Sequence, residues 1–423
     1  MIKILHTADI HIGVENYGRV DSRTGLHSRL LDFARVFEFS VDKAIQEKVD
    51  LFIIAGDSYK TANPTPTHQK LLLHGLLRLQ KEGIAVAIVV GNHDHPMSYG
   101  KAHALDVYSD LPIDGFYVFD KPKGVTINTK NGPLQVVGIP WPSRQNLIVK
   151  DGFKDKDFSF ITEYISQSVT EIIKKLANEL DPSIPAVLTS HLTVANGVFS
   201  GSEKRAVFGN DPLFLANNLA IEPFNYVALG HLHRHQSLNL KGQIPVVYAG
   251  SLERIDFGEV RDTKGFVIAK VATKRVSDGK FERICEQEFI PTPTRRMEEL
   301  NIYLKNDGEA FTKQIIDEIK KHDFNQSIAK LFYHIPQGSF DTVDIPLVYR
   351  NLESAWFISG IIPIHQFVKN TNSRSISLKE EYSTKDLLEK YFSYKKIESK
   401  RKEHLLARAE QMLIDSEKKD CCE

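Results

Sequence analysis

The sequence contains little cysteine, no long apolar run and no excess of charge of either sign. Its three cysteines, Cys285, Cys421 and Cys422, lack the spacing of a zinc site or a disulfide framework. No apolar stretch approaches the roughly 20 residues that a membrane span requires, and the first residues show no signal-peptide pattern. These absences predict a reduced, cytoplasmic protein that does not associate with a membrane.

The charge balance limits how the chain could bind nucleic acid. Its 54 basic and 54 acidic side chains give a net charge of zero. Proteins that coat nucleic acid by bulk charge are basic, so the composition gives no support to that class. If the substrate is DNA, a local cluster of basic groups must bind it, or a partner must supply some of the DNA-binding residues.

The first 270 or so residues predict a layered α/β domain. Strands alternate with helical patterns over Arg29–Lys48, Thr67–Glu82 and Ser159–Leu180, and the later strands, with little helix between them, indicate a second sheet. Short apolar runs predict these strands: Ile2–Leu5, Leu51–Ala55, Ile84–Val90, Leu134–Ile139, Ala186–Thr189, Tyr226–Leu229, Val246–Ala249 and Phe266–Val271.

Two prolines in the stretch FIPTPTRRM mark a change of pattern at 289–297. Beyond it, helices over Glu309–Lys321 and Leu347–Leu352 and strands over Ala329–Ile335 and Ala355–Gly360 predict a small α+β module. We therefore expect a main domain over 1–275, a small domain over 290–370, a polar linker over 371–382 and a helical segment over 383–423.

Five short clusters of polar residues each follow an apolar strand. Ligands of open α/β sheets bind at the carboxyl ends of the strands, where loops from several strands converge. Seven potential metal ligands therefore reach one edge: Asp9 and His11 in ADIH, Asp57 in AGD, Asn92 in GNHD, His191 in TSH, and His231 and His233 in GHLH.

Carboxylate, amide and imidazole groups without thiolate suit manganese, iron, zinc or cobalt. Seven ligands exceed the needs of one tetrahedral ion but suit two ions that share a carboxylate. Two such ions about 3.5–4 Å apart can hold a phosphoryl oxygen, activate a water and stabilise a leaving oxygen. His93 is the natural non-ligand, able to stabilise the transition state or protonate the leaving group, and Asp94 could orient it.

Each cluster also has an ordinary explanation. ADIH and AGD alone are more often strand ends and turns, and GHLH alone could be a pair of surface histidines. GNHD is more specific, because a turn needs Gly and Asn but has no use for His and Asp. Their occurrence together, each after an apolar strand, favours the metal site.

The order D-x-H, GD, GNHD, H and GHLH resembles the signature of the calcineurin-like metallophosphoesterases over residues 1–270. The resemblance implies two β-sheets sandwiched by helices. It implies one metal held by Asp9, His11, Asp57 and His233. The other would be held by Asp57 as the bridge, Asn92, His191 and His231, with His93 as the catalytic histidine.

The stretches LHTADIHIG, VVGIPW, GHLHRHQ and GSLERIDFGE are similar to the SbcD branch, the nuclease subunits of SbcCD complexes. That similarity implies manganese, 3′–5′ exonuclease action on duplex ends and endonuclease action on single strands and hairpins. It also implies a homodimer, a capping domain over 290–370, and control by an SMC-like, SbcC-type ATPase bound through Ser383–Glu417.

One departure from that branch follows Asp57. Several relatives carry a hydrophobic pair and then His or Asp, whereas Ser58, Tyr59 and Lys60 stand here, and a lysine could contact a phosphate. The candidate DNA phosphate contacts are Lys60, Arg205, Arg234, His235 and Arg254. For any one of them taken alone, an ordinary surface charge is the favoured explanation.

Two apolar faces in the C-terminal segment could pack on the small domain or on a partner. The polar linker before them favours a partner. Two other functions remain open: a metallophosphoesterase for a smaller phosphodiester or a phosphoprotein, and a structural subunit with a vestigial site.

Overall fold

The computed structural model describes residues 1–95, 102–110, 114–143, 157–201, 211–239, 242–366, 387–389, 391–392, 397 and 401–409. The chain forms two compact units, one of Met1–Pro336 with Phe340–Ile364 and one of Gln337–Ser339 with His365–Glu423. Within the described part, every helix is too short or too polar to cross a membrane.

In chain order, the strands of the described residues are β1 (Ile2–Thr7), β2 (Leu51–Ile54), β3 (Ala85–Val89), β4 (Phe116–Phe119), β5 (Lys123–Thr129), β6 (Gly132–Ile139), β7 (Ala186–His191), β8 (Thr193–Val194), β9 (Leu213–Phe214), β10 (Phe224–Gly230), β11 (Gln236–Ser237), β12 (Val246–Tyr248), β13 (Gly265–Ser277), β14 (Lys280–Pro291), β15 (Met297–Tyr303), β16 (Ile328–Ile335) and β17 (Phe357–His365). The helices are α1 (Ser28–Glu47), α2 (Pro66–Lys81), α3 (Asp106–Asp110), α4 (Phe158–Asn178), α5 (Ala216–Leu219), α6 (Phe311–Ile319) and α7 (Ile345–Asn351), and a 3₁₀ turn covers Phe257–Glu259.

The first large sheet has the order β14-β13-β1-β2-β3-β4. Strands β1 to β4 are parallel, whereas β13 runs antiparallel to both β1 and β14. The strand at Phe266–Val271 was expected in the second sheet, and this is wrong. Strand β13 pairs with β1 from Ile2 to His6, because its apolar residues face the core between the sheets.

The second large sheet has the order β11-β12-β10-β7-β6-β5. Strands β6, β7, β10 and β12 are parallel, and the outer strands β5 and β11 are antiparallel to their neighbours. The two sheets pack face to face over a largely apolar layer that includes Ile4, Ile53, Val136, Tyr226 and Val267, with the buried His6 bonded to the Tyr226 hydroxyl within it. The predicted two-sheet sandwich is therefore confirmed.

Helices cover the outer faces of both sheets. Helices α1 and α2 bury Val36, Val41 and Leu76 against the first sheet, and α4 buries Ile165 and Ile173 against the second. The three long helices begin within about one residue of the predicted positions because their apolar residues recur at helical spacing. The N-cap of α2 is Thr65, with Pro66 at the first helical position.

The small α+β domain, called the cap below, contains a three-stranded sheet in the order β15-β16-β17 with α6 and α7. Its own core contains Ile302, Ile315, Leu331, Tyr333 and Val348. A second apolar contact joins it to the main domain, where Met297 and Ile328 pack against Phe257. The cap therefore has its own hydrophobic core and packs on the sandwich within the first compact unit.

The second compact unit is described only in part. Residues 387–389, 391–392 and 401–409 are helical. Leu387 and Tyr391 expose 36% and 48% of their surfaces, respectively. These residues agree with the predicted helical character of the C-terminal segment, and the predicted linker at 371–382 lies outside the described residues.

Candidate metal centre

Loops after five parallel strands bring the seven predicted ligands together. Asp9 and His11 follow β1, Asp57 follows β2 and Asn92 follows β3. His191 ends β7 in the second sheet, and the pair in GHLH follows β10. The carboxyl ends of the two parallel cores thus face the same cluster, as sheet geometry requires.

The backbone at these positions is unusual. Asp9, His11, Asp57 and His231 have positive φ angles of 51°, 49°, 52° and 104°. Non-glycine residues adopt this region at a cost of about 1–3 kcal/mol each, and such strain clusters at functional sites. The surrounding sheets therefore hold these side chains in directions that a relaxed strand end would not provide.

Glycine is required beside one of the ligands. Gly56 has a φ of 96°, and a Cβ placed there would lie 2.1 Å from Nδ1 of His191. The AGD cluster therefore needs its glycine because a histidine from the other sheet occupies the space of a side chain.

One half of the cluster contains Asp9, His11, Asp57 and His233. The Nε2 atoms of His11 and His233 lie 3.2 Å apart, and His11 Nε2 lies 3.7 Å from Oδ2 of Asp57. Asp9, His11 and His233 each offer an atom within 4.8 Å of the others. Ligands at right angles around an ion with bonds of about 2.1 Å are about 3 Å apart, so these separations suit a metal.

The other half contains Asp57, Asn92, His191 and His231. Nε2 of His191 lies 2.8 Å from Oδ1 of Asn92 and 3.5 Å from Oδ2 of Asp57. Nδ1 of His231 lies 3.3 Å from the same Asn92 oxygen. Asp57 Oδ2 is therefore shared between the two halves.

The hydrogen bonds around His191 and His233 direct lone pairs into the cluster. Nδ1 of His191 donates to the carbonyl of Ala55 at 2.9 Å, and Nδ1 of His233 donates to Glu259 at 2.8 Å. In the neutral form that a metal binds, each imidazole presents a bare Nε2. Because Nε2 of His191 faces the oxygens of Asn92 and Asp57, the arrangement is favourable only with positive charge among these atoms. The donors present therefore fit a metal ion.

The electrostatics also favour positive charge at this position. Burial raises the pKa of Asp9 to about 7, because the neighbouring histidines offset the loss of hydration only in part. Although burial lowers the pKa of His191, Asp57 and Asp9 raise it to about 9. Burial raises the pKa of Asp57 too, but His191, His93 and His11 bring it well below the ordinary value.

His93 lies at the edge of the cluster. Its Nδ1 donates to the carbonyl of Lys60 at 3.0 Å, and its Nε2 lies 4.0 Å from Oδ2 of Asp57. Its side chain is 36% exposed, whereas those of His11 and His191 are completely buried. Burial lowers the pKa of His93, and Asp57 opposes that shift. His93 is thus placed to reach both the cluster and a substrate from solvent.

The structure gives Asp94 a different role from the predicted one. Its carboxylate accepts hydrogen bonds from the backbone N–H groups of Ser58, Tyr59 and Gly91, at 3.0–3.2 Å. The group that orients His93 is the Lys60 carbonyl. Asp94 therefore braces the loops after β2 and β3 and does not orient the imidazole of His93.

Three residues that support the ligands were not predicted from the sequence. Glu259 accepts from His233 and lies 2.9 Å from Nζ of the fully buried Lys264. Although burial raises the pKa of Glu259, His233 and Lys264 lower it to about 2. Asp211 Oδ2 lies 3.2 Å from Nε2 of His231. Glu259 lies in the stretch GSLERIDFGE, which was the sequence signal that could have pointed to it, whereas no motif pointed to Asp211.

The five predicted DNA contacts have different environments. Lys60 lies in the loop beside His93, and the side chain of Arg234 is 54% exposed. His235 stacks on Phe289 with centroids 4.1 Å apart and bonds the Tyr248 carbonyl through Nδ1, and its phosphate contact stays a prediction. Arg205 lies outside the described residues.

Arg254 is a structural residue. Its guanidinium donates to Thr294 Oγ1 at 2.6 Å and to the backbone carbonyls of Arg295 and Asp262. These bonds tie the main domain to the chain that leads into the cap. These bonds give Arg254 a structural role, and its contact with DNA stays a prediction.

Comparison with known proteins places the cluster in context. The family model described as calcineurin-like phosphoesterase matches residues 2–235, more than half of the chain. That range contains all seven predicted ligands and His93.

The chain is also similar to the SbcD nuclease component of the SbcCD complex of Bacillus subtilis, with 27% identity over 270 residues. This match covers 63% of the chain and 66% of the relative, slightly less than two thirds of the relative's length.

Among solved structures, a dimetal phosphatase from Danio rerio matches with 12% identity and a TM-score of 0.39, over 69% of this chain and 98% of that one. A protein from Thermus thermophilus matches with 13% identity and a TM-score of 0.33, over 59% of this chain and 90% of that one. These TM-scores are too low for either likeness to support an assignment.

Proposed function

Because this chain belongs to the calcineurin-like phosphoesterase family, we propose that it is a metal-dependent DNA phosphodiesterase, the nuclease subunit of a DNA-end-processing complex. The observation that carries the proposal is the shared carboxylate. Oδ2 of Asp57 lies 3.7 Å from Nε2 of His11 and 3.5 Å from Nε2 of His191, between two sets of ligands.

Two divalent ions, manganese in our proposal, would polarise a phosphoryl oxygen and supply a nucleophilic water at neutral pH. Asp9, His11, Asp57 and His233 would hold one ion, and Asp57, Asn92, His191 and His231 the other. Glu259 and the Ala55 carbonyl orient His233 and His191 through their Nδ1 atoms, which keeps Nε2 directed at the cluster.

His93 would act on the substrate directly. The Lys60 carbonyl accepts a hydrogen bond from Nδ1 of His93, so Nε2 is the ring nitrogen directed at the cluster. In its imidazolium form, Nε2 can donate a hydrogen bond to a phosphate oxygen or a proton to the leaving oxygen. Lys60 and Arg234 would contact neighbouring phosphates, which position a strand without reading its sequence.

The proposed substrates are duplex ends, cut by a 3′–5′ exonuclease, and single strands and hairpins, cut by an endonuclease. Similarity to a nuclease subunit supports this proposal, although it covers only part of both chains. The stretch GSLERIDFGE adds support because it fixes both a metal-ligand histidine and the junction with the cap. A phosphoesterase for small substrates has no evident need for that second task.

The proposed organisation follows the same similarity. The nuclease domain would span 1–275, the cap 290–370 and the linker 371–382. The helices of 383–423 would bind an SbcC-type ATPase through Ser383–Glu417, and the nuclease subunits would form a homodimer. The apolar surface exposed by Leu387 and Tyr391 supports a binding role for the last segment.

The decisive experiment compares substrates under manganese and magnesium. We expect manganese-dependent cleavage of a 3′-labelled duplex and of a hairpin, stimulated by the co-expressed ATPase and ATP. Hydrolysis of a simple aryl phosphodiester with intact DNA would instead support a small-substrate phosphoesterase. Metal binding without hydrolysis of any of these substrates would support a structural subunit.

A truncation tests the partner separately. A chain that ends before Ser383 should lose co-purification with the ATPase and keep manganese-dependent cleavage, because the predicted ligands all precede residue 234. Full co-purification of the truncated chain would contradict the proposed binding segment.

A further inference from the structure

An apolar cleft of about 370 Å³ opens beside the metal centre, and the ligand assignments leave it unexplained. One wall contains Pro140, Trp141 and Pro142, which follow β6, and the opposite wall is α4, with Tyr164 and Ile172. Tyr164 and Ile172 expose 40% and 37% of their surfaces. The cleft is therefore open to solvent and lined largely by rings and aliphatic groups.

Trp141 joins this cleft to the metal centre. Its ring centroid lies 4.8 Å from that of His231, with the planes tilted by 35°, and 5.9 Å from that of His191, edge-on. Its backbone N–H donates to the carbonyl of Val90, just before the GNHD loop, at 2.9 Å. An occupant of the cleft that contacts Trp141 would thus lie directly beside two predicted ligands.

The chemistry of the walls restricts what could bind. Phosphate needs basic or N–H donors. The charged or titratable groups of the lining are His95, Lys121 and Asp120, and the Asp120 carboxylate lies 3.9 Å from the Lys121 ammonium and offsets its charge. A flat apolar group suits prolines and aromatic rings. In a nucleic acid strand, the flat apolar group next to each phosphate is the base, and bases stack on aromatic side chains.

We propose that this cleft binds an unpaired nucleobase next to the scissile phosphate, stacked against Trp141. The inference rests on the proposed nuclease function and deepens it. A base in the cleft has left its own helix, so the enzyme would act where a strand is single or can be opened, as at hairpins and frayed ends. Stacking tolerates every base, so little sequence preference is expected.

A cleavage experiment separates base binding from simple support of His231. Short single strands are compared with strands in which one nucleotide lacks its base, and that nucleotide is moved along the strand. For the unaltered protein, cleavage at the phosphate beside the abasic nucleotide should fall about ten-fold, the size expected for one stacked base. The Trp141→Ala variant should cut both strands at similar rates.

The informative quantity is the ratio of the cleavage rates of the two strands, because any disturbance of His231 lowers both rates together. If Trp141→Ala retains the same abasic penalty as the unaltered protein, the proposal is overturned. Trp356→Phe, which changes a tryptophan at the cap junction, is the matched control and should keep the full penalty.

Fluorescence provides a readout that needs no catalysis. The chain has two tryptophans, so Trp356→Phe leaves Trp141 as the only indole. In EDTA, a short oligothymidylate should quench Trp141 saturably, whereas an abasic strand of the same length should not. Trp141→Phe, which keeps Trp356 alone, should show no quenching.

The outcomes distinguish the two proposals. Cleavage of DNA without quenching and without an abasic penalty would overturn the base cleft and leave the nuclease function intact. Quenching by oligothymidylate without cleavage of any DNA would support the cleft and overturn the nuclease function. Absence of both would overturn both.

Discussion

Two buried polar clusters of the main unit can be compared, the metal centre and the junction with the cap. At the junction, Arg29 lies 3.2 Å from Asp32 and 3.9 Å from Glu253, and Arg295 binds Asp32 with two hydrogen bonds of 2.6 and 2.7 Å. The buried cations Arg29 and Arg295 thus face two buried carboxylates, with the half-exposed Arg35 at the edge, 3.6 Å from Asp32. The cluster is electrically complete within the chain.

The metal centre lacks this balance. Among the described residues, the partners of Asp9 and Asp57 are histidines and backbone N–H groups. Nε2 of His191 there faces oxygens that can only accept, so the contact needs a proton or a metal ion between these atoms. Buried polar groups are stable when paired, so the junction is a structural device, whereas the metal centre is a site that takes positive charge from outside.

The largest expected effect comes from Asp57. Replacing Asp57 by Asn should remove metal from both halves and lower phosphodiester cleavage by roughly a thousand-fold or more. Metal content by mass spectrometry and cleavage rates measure the two consequences. The control is Asp50→Asn, a buried carboxylate at the start of the same strand β2, which bonds Lys3 and Asn131. Equal metal loss in both variants would contradict the shared-carboxylate assignment.

The junction is tested by stability. Arg29→Met leaves the buried Glu253 with backbone N–H donors only, whereas Asp32 keeps Arg295. Removing one partner of a buried pair costs about 3–5 kcal/mol. Arg35→Met removes a half-exposed arginine 3.6 Å from the same Asp32 and should cost less than about 1 kcal/mol. Urea and thermal midpoints compare the two. Similar midpoints for both variants would show that the junction is not the charge-balanced cluster described above.

His93 separates chemistry from metal binding. His93→Gln should lower cleavage roughly a hundred- to a thousand-fold while metal content and melting temperature stay unchanged. His235→Gln serves as the control, because His235 bonds Tyr248 and stacks on Phe289. An undiminished rate for His93→Gln would reject the catalytic assignment, and lost metal would make His93 a ligand.

The smallest effect is expected from Glu259. Glu259→Gln weakens the acceptor of His233 and should lower metal affinity about 10- to 100-fold, measured by metal titration. Glu253→Gln lies in the same GSLERIDFGE stretch but serves the junction, so it should change stability and leave metal affinity near its original value. Equal metal affinities of Glu259→Gln and Glu253→Gln would contradict the assignment of Glu259 to the metal centre and of Glu253 to the junction.

Much of the fold was predictable because apolar strands and amphipathic helices carry strong periodic signals. The family predicted from the motifs and the two-sheet class are confirmed. Strands β4, β5, β8, β9, β11, β14 and β15 were missed. Strand β14 is the outer strand of its sheet, with half of its residues exposed and none buried, so its sequence, KFERICEQEFIP, lacks the apolar run that marked the buried strands.

The domain boundaries remain a prediction, and the first sheet extends beyond the predicted end of the main domain at residue 275 to Pro291. The metal assignment also remains a prediction, although the structure brings all seven side chains to one cluster. Asp94, His235 and Arg254 share one feature. Each is a polar residue near a motif, and only its partners show that it bonds the backbone of a neighbouring segment.

The sequence by itself determined which side chains could serve as ligands, because each motif directly follows an apolar strand and parallel strands end at a common edge. Only the tertiary structure decided which groups orient them. Glu259, Asp211 and Trp141 reach the histidines from other loops, and such contacts depend on how distant segments pack rather than on local periodicity.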